Sequence, residues 1–228
     1  MNIIITGASR GIGLELTKRF LWEGNHKVIA LSRNQTALEQ IGPKEQLRYL
    51  PFDMTSDNNH PQLVSLINTF FSRKIHIVIH NAGLLIKKPF SEFSADDFDQ
   101  IFAVNVKGVV LLTQRLLPFM TKPSHIVNIG SMGGYPGSVK FPGLSLYAAS
   151  KGALASLSEC MAEEFKPLDI FVNTLAIGAV DTDMQRQAFP GYKASVSASD
   201  MASYIHDFAI NGHKVFNGKT IPVSLSTP

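Results

Sequence analysis

The chain is poor in the features that would mark most specialised classes. It has a single cysteine, Cys160, among 228 residues, which excludes an internal disulfide and suits a reducing compartment. Its net charge of +3 is small and its basic residues are scattered, so the electrostatic footprint of a nucleic-acid binder is missing. Polar residues interrupt every apolar run before membrane-spanning length, and with the first strand read from about residue 2 no signal peptide is expected. These features predict a soluble, cytoplasmic protein with no membrane and no nucleic-acid partner. Seven histidines, His26, His60, His125, His206 and His213 among them, show no ligand spacing, so no metal site is expected. No linker, repeat or low-complexity segment divides the chain, and its length suits one α/β domain.

What is present begins at the first residues. Ile3-Ile4-Ile5 reads as a buried strand. The turn Thr6-Gly7-Ala8-Ser9-Arg10-Gly11-Ile12-Gly13 follows, and Ile12, Leu16, Phe20 and Leu21 then recur at helical spacing. In a strand–turn–helix setting, a glycine-rich turn lets a pyrophosphate approach the backbone at a helix N-terminus. Further strands are expected at 27–31, 47–52, 75–79, 125–129, 170–175 and 220–225. Helices are expected at 34–40, from His60-Pro61, from Ser94 to about 120, at 146–165 and at 199–210, the last N-capped by Ser197 or Ser199. A turn is read at Gly42-Pro43, and residues 178–197 read as irregular. Phe98, Ile101, Val109, Leu112 and Leu116 mark a buried helix face, and Cys160 reads as inert packing. Strands alternating with helices predict a doubly wound parallel sheet of about seven strands, a Rossmann architecture in a single domain spanning 1–228.

A second group of residues carries chemistry. Tyr147 and Lys151 lie four apart on an expected helix and share a face. Ser131 follows a central strand, at the end of the sheet where ligands bind. Asn105 sits in an otherwise apolar helix face, where an amide is costly unless hydrogen-bonded. A tyrosine beside an ammonium has a lowered pKa and can exchange a proton with a carbonyl oxygen.

With these residues in place, the chain resembles the short-chain dehydrogenase/reductase family over essentially its whole length. The family's glycine turn matches residues 6–13, and its aspartate after the third strand matches Asp53. Its Asn-Asn-Ala-Gly matches His80-Asn81-Ala82-Gly83, its helix asparagine Asn105, its serine Ser131 and its Tyr-x-x-x-Lys Tyr147–Lys151. Its Pro-Gly-x-x-x-Thr matches residues 177–182, with Ile177 in place of proline. The resemblance implies Tyr147 as general acid/base, Ser131 as holder of the substrate oxygen, and Lys151 on the nicotinamide ribose, lowering the Tyr147 pKa. It implies Asn105 as the anchor of a proton-relay water. The cofactor would be held by Gly7, Ser9, Arg10, Gly11, Ile12, Gly13, Asn81, Ala82 and Gly83, by Asp53 at the adenine, and by Thr182 and the backbone of Val180 at the carboxamide.

The departures carry their own expectations. Ser131 and Tyr147 are 16 residues apart, a longer interval than the family's, with the excess in a loop holding Gly130, Gly133, Gly134, Gly137 and Gly143. Ile177 in place of proline should loosen the start of the substrate loop. NAD-binding members of this fold place an acid about 20 residues past the glycines. Here Ser32 is followed by Arg33, and Arg10 adds a second guanidinium. A phosphate between two guanidiniums points to NADP(H).

The resulting expectation is an NADP-dependent oxidoreductase acting on a small-molecule carbonyl or alcohol. Reduction of a 3-oxoacyl group on a carrier protein is a special case, with Lys87, Lys88 and Lys140 as a basic patch. A non-catalytic NADPH-binding regulator is the alternative. Met184, Phe189 and Tyr192 are candidate substrate-pocket residues. The resemblance further implies a homodimer or homotetramer paired through the two long helices.

Overall fold

The computed structural model describes residues 1–41, 45–56 and 60–225, so the Gly42-Pro43 turn lies outside the described residues. In chain order the elements are β1 (Asn2–Thr6), α1 (Gly11–Trp22), β2 (Lys27–Ser32), α2 (Thr36–Glu39), β3 (Leu47–Pro51) and α3 (His60–Phe70). Next come β4 (Ile75–His80), α4 (Ala95–Phe102), α5 (Gly108–Leu116), β5 (Met120–Ile129), α6 (Ser145–Glu164) and β6 (Ile170–Ile177). The last are β7 (Val180–Asp181), α7 (Asp183–Ala188), β8 (Val196–Ser197), α8 (Ala198–Asn211) and β9 (Thr220–Val223).

Seven strands form one sheet in the order β3-β2-β1-β4-β5-β6-β9, and all pairs are parallel. The isoleucine run explains why β1 sits near the middle. Ile3 and Ile5 pack on one face with Leu16 and Phe20 of α1 and Ile205 and Phe208 of α8. Ile4 packs on the other face with Leu63 and Ile67 of α3, Leu112 of α5 and Met161 of α6. A strand covered on both sides needs no polar alternation. The order reverses direction between β1 and β4, which opens a crevice at their carboxyl ends.

Four expectations about elements change. The helix entered at Ser94 begins as expected: Ser94 accepts from the Asp97 amide at 3.1 Å, and the Asp97 carboxylate accepts from the Ser94 amide at 2.9 Å. It does not run unbroken, because a π-helical turn at Ala103–Lys107 separates α4 from α5. Phe98 does not join the core; it is 45% exposed and stacks on Phe102 with ring centres 4.4 Å apart. Residues 178–197 are ordered by α7 and by a parallel pairing of β7 with β8. Cys160 is exposed on α6 and is not part of the packing.

The stretch Ala95–Phe119, taken through the π turn, is the one described helix both long and apolar enough to cross a membrane, although Asn105 and Lys107 interrupt its apolar run. Ile101, Val109, Leu112 and Leu116 of this stretch are spent on the protein's own interior.

Candidate active site

The crevice between β1 and β4 opens into a cleft of about 770 Å³. Its floor is the glycine turn. Gly7 has a φ of +66°, and a Cβ there would lie 2.9 Å from Ala82 Cα. A Cβ on Gly13 would lie 2.2 Å from the Gly7 carbonyl oxygen and 2.5 Å from Asn81 Nδ2. No side chain fits at either place. Thr6 and Asn81 fasten the turn to the loop after β4. The Thr6 hydroxyl accepts from the amides of Asn81 and Ala82, both at 3.0 Å. Asn81 Nδ2 donates to the carbonyls of Thr6 and Gly7 at 3.0 and 3.2 Å.

Arg10 precedes α1 in extended backbone and offers no side-chain cap, and the first turn of α1 holds no acid. The helix therefore presents its N–H groups and partial positive charge to the cleft. Arg10 and Arg33 are both exposed and line the cleft beside the buried Ser32. The Ser32 hydroxyl donates to the Asn34 carbonyl. The Asp53 carboxylate accepts from the Thr55 amide at 2.8 Å and the Thr55 hydroxyl at 2.7 Å. These bonds, with a smaller contribution from Arg33, hold its pKa below the usual carboxylate value.

Gly7, Ser9, Arg10, Gly11, Ile12, Ser32, Arg33, Asp53, Asn81, Ala82, Gly83, Tyr147, Lys151 and Thr182 all border the cleft. Gly13 packs beneath it. Val180 is buried in β7, where it pairs with Val196. Thr182 caps α7, its hydroxyl accepting from the Gln185 amide at 3.3 Å. A Cβ on Gly11 would meet Thr182 Cγ2 at 3.3 Å, so the loop after β6 closes against the glycine turn.

Tyr147 and Lys151 project from the first turns of α6. Lys151 is buried, and its ammonium donates to the Ile129 carbonyl at 2.8 Å, 5.9 Å from the centre of the Tyr147 ring. Burial lowers the Lys151 pKa to about 8. Burial raises the Tyr147 pKa, opposed by a side-chain hydrogen bond with Ser131. The expected lowering of the Tyr147 pKa by Lys151 gives way to a rise: enclosure of the phenol dominates, and the opposing influence comes from Ser131.

The long glycine loop does not carry Ser131 away. A 3₁₀ turn at Met132–Gly134 follows it at once, with the Ser131 hydroxyl accepting from the Gly133 amide at 3.1 Å. Gly134 lies against α6 so closely that a Cβ would be 2.6 Å from the Gly152 nitrogen. The extra residues protrude beyond this contact, where Lys140 donates to the Tyr135 carbonyl at 2.7 Å.

Asn105 does not line the cleft. Its Oδ1 accepts from the Leu84 amide at 2.8 Å, and its Nδ2 donates to the Leu84 carbonyl and to Ser150 Oγ, each at 2.9 Å. The side chain buckles the π turn to the cleft loop and to α6. Nor is the start of the substrate loop slack. Ile177 ends β6 in register with Val223, and the Gly178 amide donates to the Val223 carbonyl at 2.9 Å.

Met184 lines the cleft as expected, with Leu84 and Gln187, which sequence reasoning missed. Leu84 follows the matched Gly83 directly, and that adjacency was the available signal. Phe189 lies under Lys87, whose ammonium is 4.3 Å above the ring and donates to the Ala188 carbonyl at 2.8 Å. Tyr192 is 57% exposed, and its carbonyl accepts from Gln185 Nε2 at 3.1 Å.

The arrangement joins an anion cradle, two exposed guanidiniums, a phenol and a buried ammonium in one cleft, with Ser131 acting on the phenol from outside the lining. Comparison with known proteins agrees with it. The short chain dehydrogenase family model matches residues 1–193. Solved structures resemble the chain along its length. One, from Brucella melitensis, is described as a short-chain dehydrogenase/reductase, glucose/ribitol dehydrogenase; it is 25% identical, with a TM-score of 0.89, covering 100% of this chain and 96% of that one. A 3-ketoacyl-(acyl-carrier-protein) reductase of the same organism, complexed with NADH, is 25% identical, with a TM-score of 0.85 and coverage of 98% and 96%. A short chain dehydrogenase of Burkholderia cenocepacia in complex with NADP is 25% identical, with a TM-score of 0.85 and coverage of 97% and 95%. The chain therefore belongs to the short chain dehydrogenase family and is an oxidoreductase of that family.

Proposed function

We propose that this oxidoreductase interconverts a small-molecule carbonyl and its alcohol with NADP(H), and that Tyr147 is the general acid/base. The observation that carries this reading is the enclosure of the Tyr147 phenol, on which Ser131 acts, beside the buried Lys151 ammonium. A nicotinamide dinucleotide fits the residues present, because the glycine turn has no room for side chains and the N-terminus of α1 is free of a competing acid. When bound, that group supplies or accepts the hydride. Tyr147 gives its hydroxyl proton to the substrate oxygen in reduction and takes one back in oxidation. Ser131 holds that oxygen beside the phenol. Lys151 keeps positive charge near the phenolate that forms. Thr182 and the backbone of Val180 are assigned to the carboxamide end, and Asp53 to the adenine end.

NADP(H) over NAD(H) rests on the end of β2, where Ser32 and Arg33 stand in place of an acid, with Arg10 lining the same cleft. Two cations there favour a 2′-phosphate. Structural neighbours carry NADH in several cases and NADP in another, so the test is direct. Arg33→Ala should weaken NADPH binding on the order of tenfold, the effect of one charge-assisted hydrogen bond, and leave NADH binding unchanged. An equal change for both cofactors would reject the preference.

Reduction of a carrier-bound 3-oxoacyl group remains the narrower reading, supported by the named neighbour. The lysines expected to attract an acidic carrier are committed internally: Lys87 to Ala188, Lys88 to Asp97 at 2.7 Å, and Lys140 to Tyr135. That weighs for a free small-molecule substrate. We also assign the enzyme to the cytoplasm, as a homodimer or homotetramer, with the partly exposed faces of α4, α5 and α6 as the pairing surface.

A further inference from the structure

A second cavity, of about 520 Å³, opens at the amino ends of the strands, opposite to the cleft. Its cause is an irregularity in the sheet. Ile75 of β4 is in register with Met120 of β5, yet Ile77 is in register with His125, so β5 carries three more residues than β4 across that interval. Thr121 stays tied to β4, its hydroxyl donating to the Ile75 carbonyl at 3.0 Å, while Lys122–Ser124 have no register partner on β4, and a hollow opens beside them.

Several residues lining the hollow carry hydrogen-bond donors. The Asn2 amide donates to His76 Nδ1 at 3.0 Å, which places the ring proton of neutral His76 on Nε2. Ser124 is 3% exposed, and its hydroxyl has no hydrogen-bond partner among the described residues. Lys74 and Lys122 stand at the rim. Among the described residues no Asp or Glu lines the cavity. Asp169 acts on His213, another lining residue. His125 is spent structurally: Nδ1 bonds the Ala209 carbonyl at 3.0 Å, and Nε2 meets Asn173 Nδ2 at 3.0 Å. Ile77, Pro123 and Ile210 complete an apolar wall.

An enclosed hydroxyl without a partner is costly unless a ligand satisfies it. We infer that this cavity binds a compact organic anion, with its anionic oxygens on His76 Nε2, Ser124 Oγ and the Lys74 and Lys122 ammonium groups, and a short apolar body against Ile77, Pro123 and Ile210. The site lies at the opposite end of the sheet from the glycine turn, so its occupancy does not compete with a nucleotide there.

The test is ring-nitrogen NMR of His76 in the full-length chain, titrated separately with inorganic phosphate and with butyrate, each with and without NADP⁺. The expected result is displacement of the His76 Nε2 resonance by at least one probe in both conditions. Displacement by phosphate alone identifies a phosphoryl ligand, and displacement by butyrate alone a carboxylate. Lys122→Ala and Ser124→Ala should each weaken that probe roughly tenfold, the effect of one hydrogen bond to a charged group. Ser124→Ala should at the same time leave the ligand-free fold at least as stable, because it deletes an unpartnered donor. No displacement by either probe, or a displacement unchanged in both variants, overturns the site.

Discussion

Tyr147 and Lys151 are moved in opposite directions by one cause. Burial disfavours the charged form of each, which is the phenolate for Tyr147 and the ammonium for Lys151. Ser131 alone offsets it at the phenol. Ser131→Ala should therefore lower kcat/KM on the order of a hundredfold, the loss of one preorganised donor, with NADPH affinity unchanged in a fluorescence titration. The histidines of the interior are set by the same physics. Burial holds His80 at a pKa of about 3 and His125 at about 4, against an ordinary value of 6.5. Between those values the unfolded chain binds protons that the folded chain does not. Stability is full above pH 6.5 and is lost as pH falls toward 3, at about 1.4 kcal/mol per pH unit for each fully titrating histidine. Urea midpoints measured from pH 7 to pH 5 should fall accordingly, and His80→Asn should flatten the slope by one proton.

At the scale of elements, the candidate site depends on contacts between backbones. Gly134 against Gly152 fixes the loop that carries Ser131 to the helix that carries Tyr147. Gly134→Ala would push a Cβ to 2.6 Å from the Gly152 nitrogen, and helix backbone cannot give way as a side chain tip can. It should cost roughly 1–3 kcal/mol in urea denaturation and lower kcat more than it changes NADPH affinity. This contact explains what was legible and what was not. Tyr147 and Lys151 could be read from helical spacing, because both lie within one element. The position of Ser131 could not, because 16 residues of glycine-rich loop separate it from Tyr147 and the anchoring contact carries no side-chain signal. The π turn was hidden for a related reason. Asn105 could be recognised as a costly amide in an apolar face, but its partners, Leu84 and Ser150, are 21 and 45 residues away. The pairing of Val180 with Val196 is likewise non-local, so 178–197 read as irregular when it forms the α7 segment that closes on the glycine turn.

For the whole molecule, the sheet order converts a linear set of motifs into one cleft. Residues 6–13, 80–83, 131, 147–151 and 182 are far apart in the chain, and parallel strands bring all of them to the carboxyl ends. This was readable in advance because several strands are short apolar runs that end in, or run directly into, a polar residue or a glycine, as at Thr6, His80 and Gly130-Ser131. The opposite end of the sheet carried no motif, and its bulged cavity emerged only from strand register. The central claim is that the enclosed phenol moves the proton. Its most direct test is NADPH oxidation over a panel of carbonyl compounds by the native protein and by Tyr147→Phe, with NADPH binding measured separately. The account predicts turnover of at least one carbonyl, a loss of roughly a hundredfold or more in the variant, and NADPH affinity within about twofold of native. Turnover that survives Tyr147→Phe would contradict it.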